Sequence, residues 1–205
     1  MSAAGDVFLT FDDGPGPGTA RVLDFLKKRA IAATFFLVGE KLATAGTRDL
    51  VERMARAGYT IGNHSYTHGP TRGALDRMAP RELVEDFRKC DAAAAWIPKA
   101  GMSRNARIPW IGDDHRFGRA LRAAGYAVHK WDTNFDRPWS EDCLLECIGQ
   151  ARRAMSLRGR AVVLCHDYLF RDWDTAEGGA TDERIRNLGR LVVALRATGG
   201  KFRPM

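Results

Sequence analysis

The stretch Leu9-Thr10-Phe11-Asp12-Asp13-Gly14-Pro15 ends a hydrophobic run on two adjacent carboxylates, at the point where Gly-Pro turns the chain. Val7 to Phe11 is β-branched and aromatic, the composition of a buried strand, and like charges at its end must be solvated or bound to a cation. Adjacent strand residues point to opposite sides, so Asp12 and Asp13 are expected to do different jobs at the edge of one cleft. Taken alone, the pair also fits turn capping, which is common chemistry for Asp-Gly-Pro.

A second stretch, Asn63-His64-Ser65-Tyr66-Thr67-His68, places two imidazoles four residues apart. On a helical turn that spacing puts both on one face. A carboxylate with two imidazoles is a three-ligand set that leaves a fourth position open, as in catalytic rather than structural zinc. A lone histidine on a loop is ordinarily a surface residue, and the pairing is what argues against that here. Ser65 and Asn63 read as residues that hold the turn.

With these stretches in view, the chain resembles the polysaccharide deacetylases, the NodB-homology group known as carbohydrate esterase family 4. Thr10 to Pro15 is similar to the first motif of that family and His64 to His68 to the second. Arg107-Ile108-Pro109-Trp110 is similar to the third and Leu164-Cys165-His166 to the fifth, in chain order over nearly the whole length. The resemblance implies Asp13, His64 and His68 as ligands of one divalent metal, zinc first, with cobalt, nickel or manganese as alternatives. It implies Asp12 as general base, Arg107 as the partner of the base carboxylate, and His166 as the acid that protonates the leaving amine. Leu164 matches a position lining the pocket for the acetyl methyl group. Trp110 stands where the family usually has Tyr, and its backbone N–H is implied in an oxyanion hole.

The fourth motif departs from the pattern. The family has a contiguous Asp-Trp, whereas Trp131-Asp132-Thr133-Asn134-Phe135-Asp136-Arg137-Pro138-Trp139 spreads the elements apart. Asp136 is the first choice to orient His166 and Asp132 the second. Trp139 and Trp173, on expected loops, are candidates to stack on sugar faces. The implied activity is metal-dependent removal of N-acetyl groups from amino sugars of an N-acetylated glycan, such as a chitin oligomer or peptidoglycan. Two rivals are hydrolysis of another small amide or imide on the same fold, and an inert carbohydrate-binding module.

Composition is compatible with this reading. A chain of 205 residues supports one sizeable core, so a single domain over residues 1–205 is expected. No apolar run approaches the roughly 18 residues of a membrane span, and no membrane association is expected. The net charge of +7 is dispersed over Lys27-Lys28-Arg29, Arg152-Arg153 and Arg184-Arg186. Without a nucleic-acid motif it implies a solvated surface, so no nucleic acid is expected, and the protein reads as a monomer. Cys90, Cys143, Cys147 and Cys165 sit inside apolar-periodic segments and read as buried free thiols. With no signal-like segment at Met1 to Asp6, they lead to an expected cytoplasmic location unless a leader has been removed.

Along the chain, strand-like and helix-like segments alternate. Helices are expected over Thr19 to Ala30, Asp49 to Ala57, Arg81 to Trp96 and Ser140 to Met155, around Phe117 and Leu121, and from Ile185 to Leu195. Strands are expected over Ala33 to Val38, Tyr59 to Gly62, Tyr126 to Trp131 and Ala161 to Cys165, with Arg107 to Trp110 as a strand end. Such alternation implies an α/β fold with a parallel sheet, closed as a barrel or open. The resemblance selects a distorted (β/α)7 barrel.

Overall fold

The computed structural model describes residues 4–44, 46–69, 77–97, 102–110, 115–171 and 179–205. In chain order the elements are β1 (Gly5–Gly14), α1 (Thr19–Lys28), β2 (Thr34–Leu37), a 3-10 turn (Gly39–Ala43), α2 (Thr47–Arg56), β3 (Thr60–Asn63) and α3 (Pro80–Ala93). They continue with β4 (Asn105–Ala106), α4 (His115–Ala123), β5 (Ala127–Val128), β6 (Thr133–Asn134), α5 (Glu141–Arg158), β7 (Arg160–His166), a 3-10 turn (Asp167–Phe170), α6 (Gly179–Ala197) and β8 (Gly200–Phe202). The strand pairings described below are parallel, so the architecture is α/β. The short strands β6 and β8 are absent from the sequence reading, because two or three residues carry no readable period. Arg107 to Trp110 lies just beyond β4 and is irregular rather than a strand end. Trp173 lies outside the described residues.

Cα packing resolves two compact units. One comprises Met1–Asp12, Gly16–Thr34 and Trp131–Met205, the other Asp13–Pro15 and Phe35–Lys130. In the first, β1 pairs with β7 from Asp6↔Arg160 to Asp12↔His166, β7 pairs with β6, and β8 pairs with the start of β1. The core positions Val7, Leu9 and Phe11 are fully buried, and Phe11 meets Phe170 edge-on at 6.3 Å. Helix α5 starts where Ser140 caps it by accepting from the Cys143 N–H at 3.3 Å. It ends at Gly159, whose φ of 68° is the left-handed stop that glycine adopts at least cost. The Gly159 carbonyl then accepts from the Asp6 N–H at 2.9 Å, tying the start of β7 to that of β1.

In the second unit, β3 pairs with β4 at Asn63↔Ala106 and β4 with β5 at Ala106↔Val128. Leu83 and Phe87 of α3 pack with Ala106, Ile108, Phe117, Leu121 and Tyr126 in one buried cluster. This is the stripe that the apolar period of α3 requires. Cys90, Cys143, Cys147 and Cys165 are free and buried. Burial pushes the Cys147 thiol up to about 12 and raises Cys90 and Cys165 further, so they remain protonated, inert fillers. Among the described residues no helix is long and apolar enough to cross a membrane.

Candidate active site

In the second unit, the chain after β1 and the chain after β3 bring three candidate ligands together. Asp13 Oδ1 lies 3.3 Å from His64 Nε2 and 3.0 Å from His68 Nε2. Among the described residues, this is the set of His, Cys, Asp and Glu side chains whose ligand atoms converge in this way. Bonds of about 2.0–2.2 Å in a tetrahedral arrangement put donor atoms roughly 3.3–3.5 Å apart, so the spacing fits a small divalent ion. The tautomer points the same way. His64 Nδ1 lies 2.8 Å from the Arg107 carbonyl, which can only accept, so Nδ1 carries the proton and the neutral ring turns its Nε2 lone pair towards Asp13. Three electron-rich atoms facing one another need a cation, and one proton cannot serve all three.

The loop carrying the histidines departs from the helical turn expected of a four-residue spacing. Ser65 and His68 have φ of 68° and 61°, and it is these left-handed turns that fold His68 back beside His64, with ring centroids 5.0 Å apart. Asp13 and Trp110 share the conformation, at φ 70° and 60°. Such a backbone is unfavourable for residues with a Cβ, so the surroundings must hold it.

Several groups do so. Asn63 Oδ1 accepts from the Ser65 N–H at 2.8 Å, while Asn63 Nδ2 donates to the Phe87 carbonyl at 2.8 Å and to Asp91 at 2.6 Å. Ser65 Oγ accepts from the His68 N–H at 2.9 Å. Asp86 Oδ2, on α3, accepts from the Tyr66 N–H, the Thr67 N–H and the Thr67 hydroxyl, each at 3.1 Å. The loop also docks on the 3-10 turn, since Gly39 and Glu40 N–H groups donate to the Ser65 and Tyr66 carbonyls at 3.0 Å. A Cβ on Gly39 would stand 2.5 Å from the Tyr66 ring, so only glycine permits that approach. Lys41 Nζ donates to the Asp13 carbonyl at 2.6 Å.

Arg107 is 1% exposed. Its guanidinium lies 4.3 Å from the Phe36 ring, and Nη2 reaches the Lys130 carbonyl at 3.5 Å. Trp110 is 50% exposed, and its indole Nε1 lies 3.1 Å from both the His68 and Gly69 carbonyls. The sequence reading weighed its backbone N–H and its ring as a sugar contact, but not this use of the ring nitrogen.

In the first unit, Asp12 and His166 are register partners at the ends of β1 and β7. His166 Nδ1 lies 2.8 Å from Asp136 Oδ1, so the structure brings these two sequence candidates together. Asp132 is placed elsewhere. Its Oδ1 accepts from Arg158 Nη2 at 2.5 Å and its Oδ2 from the Val162 N–H at 2.8 Å, fastening α5 and β7. Leu164 is buried two residues before His166 on the same strand face. Trp139 is partly exposed, with one ring face covered by the Arg184 guanidinium at 4.7 Å. Asp167, unremarked in the sequence, is buried and accepts from the Thr19 hydroxyl, which fixes the turn after β7.

Residues 2–129 match the family model described as polysaccharide deacetylase. Chitooligosaccharide deacetylase of Sinorhizobium fredii is 32% identical over 205 residues, covering 97% of this chain and 89% of that protein. Chitooligosaccharide deacetylase of a Bradyrhizobium species is 29% identical over 209 residues, covering 100% and 91%. A family 4 carbohydrate esterase from Streptomyces lividans, solved in complex with acetate, superposes with a TM-score of 0.72 at 24% identity, over 96% of this chain and 90% of that one. That likeness shows the fold, the (β/α)7 type of these esterases.

Proposed function

Because the chain belongs to the polysaccharide deacetylase family, we propose that it hydrolyses the acetamide of N-acetylated amino sugars in an oligo- or polysaccharide, with one divalent metal bound. The relatives named as chitooligosaccharide deacetylases support the substrate class, an N-acetylated glycan. The observation that carries the reading is the convergence of His64 Nε2 and His68 Nε2 on Asp13 Oδ1. Zinc fits this donor set of two imidazoles and one carboxylate best, ahead of cobalt, nickel or manganese. An ion held there supplies Lewis acidity, drawing charge from an acyl oxygen and acidifying water.

The remaining roles fall to this chain's own groups. Asp12, kept off the ligand set, takes the proton from the attacking water as general base. Arg107 supplies the positive charge that keeps the base carboxylate ionised. The Trp110 backbone N–H donates to the oxygen that gains charge as the carbonyl becomes tetrahedral. His166 gives its proton to the departing amine, with Asp136 holding Nδ1 so that Nε2 faces the substrate. Leu164 borders the acetyl methyl group, and the exposed edge of Trp139 meets the glycan. The protein works as a monomer, without nucleic acid or membrane.

Acetate release from chitin oligomers, peptidoglycan and small amides, with and without a chelator, tests class, metal and substrate together. Chelator-sensitive release from the oligomers is expected. Release from small amides alone would replace the glycan reading, and no release by metal-loaded protein would replace the enzyme by a binding module.

A further inference from the structure

We propose that Trp110 is a positioning residue for His68, an inference that rests on the metal-centre reading above. The two imidazoles are held differently. His64 has a side chain 4% exposed and its Nδ1 is fixed by the Arg107 carbonyl. His68 has a side chain 21% exposed, and among the described residues no partner holds its Nδ1. The orientation of His68 therefore rests on its backbone and on what lies against its ring.

Trp110 supplies both. The indole N–H is shared between the His68 and Gly69 carbonyls at 3.1 Å, and the ring sits 5.0 Å from the imidazole at 60°. The left-handed φ of 60° at Trp110 sends the side chain over the histidine loop. An indole suits the task because its N–H is on the ring edge, so one side chain can donate to the carbonyls while its face lies along the imidazole. A phenol carries its donor at the far tip. Trp110 therefore completes for His68 the outer support that the Arg107 carbonyl gives His64.

The test is Co²⁺ and Zn²⁺ affinity measured by chelator competition, with the visible spectrum of the Co²⁺ form as a second readout. Losing an outer support weakens metal binding by about 10–100-fold, and the half-exposed position puts Trp110→Phe near the lower figure. The expected result is about tenfold weaker binding, a perturbed Co²⁺ spectrum, and no further loss when Trp110→Phe is added to His68→Ala. Affinity and spectrum unchanged in Trp110→Phe, with only KM altered, would overturn the inference in favour of a sugar contact. A lower melting temperature of the metal-free Trp110→Phe protein leaves the double variant to decide. Equal losses with and without His68 would mean general scaffolding and overturn the inference. If His68→Ala binds metal as tightly as the unaltered protein, the metal reading itself fails, an outcome distinct from the failure of Trp110 alone.

Discussion

Asp86→Ala removes a carboxylate 6% exposed whose single oxygen gathers three donors from the histidine loop, each at 3.1 Å. A hydrogen bond to a charged group contributes about 1.5–3 kcal/mol, so three at the lower figure give about 4.5 kcal/mol. Thr67 is exposed and water can recover about one of these bonds, leaving about 3 kcal/mol. Alanine is the better helix former in α3, which offsets about 0.5 kcal/mol. For a chain of 150–250 residues each kcal/mol moves Tm by about 2–4 °C, so a fall of about 5–10 °C is expected. Thermal unfolding of the metal-free protein, followed by circular dichroism with chelator present, measures it. Asp86→Asn keeps an acceptor without the charge and should fall between. A drop under about 3 °C in Asp86→Ala would show that the loop does not depend on this clamp.

The double replacement His64→Ala, His68→Ala should abolish stoichiometric metal by elemental analysis, and full occupancy there would refute the ligand assignment. Asp12→Asn should keep metal and fold while turnover drops at least about a hundredfold, the low end for a general base; loss of metal would mean the two aspartates exchange roles. Asp136→Asn should lower turnover and move the alkaline limb of the kcat profile to lower pH. The acid must be protonated to act, and removing the anion beside it makes the proton leave more readily. Asp132→Asn should leave that limb in place and lower Tm instead, because Asp132 ties Arg158 and the Val162 N–H. A limb shifted in Asp132→Asn and not in Asp136→Asn would transfer the orienting role.

Most helices and the longer strands were legible because each buries one face. Leu83, Phe87 and Cys90 recur with a helical period and are all buried, as are Val7, Leu9 and Phe11 in strand alternation. The choice between Asp132 and Asp136 could not be read from spacing, because it depends on register. Asn134 lies opposite Leu164, so Asp136, two residues on, comes level with His166, while Asp132 falls level with Val162. Asp86 left no mark in the sequence, since a carboxylate among helix residues ordinarily reads as solvated surface. The histidine spacing suggested that two imidazoles meet, but for a different reason. A helical turn and a pair of left-handed residues both return the chain after four positions, and only tertiary hydrogen bonds choose between them.

Among the described residues, five other than glycine adopt left-handed φ: Ala30, and then Asp13, Ser65, His68 and Trp110 around the metal centre. Each costs of order 1 kcal/mol or more. Heat-resistance selection run without a functional screen would therefore favour glycine at positions 65 and 110, where relief is greatest and no ligand is lost outright. Such variants would melt later and grip metal less well. Laboratory evolution of a sturdier version of this protein needs metal retention as a counter-screen from its first round.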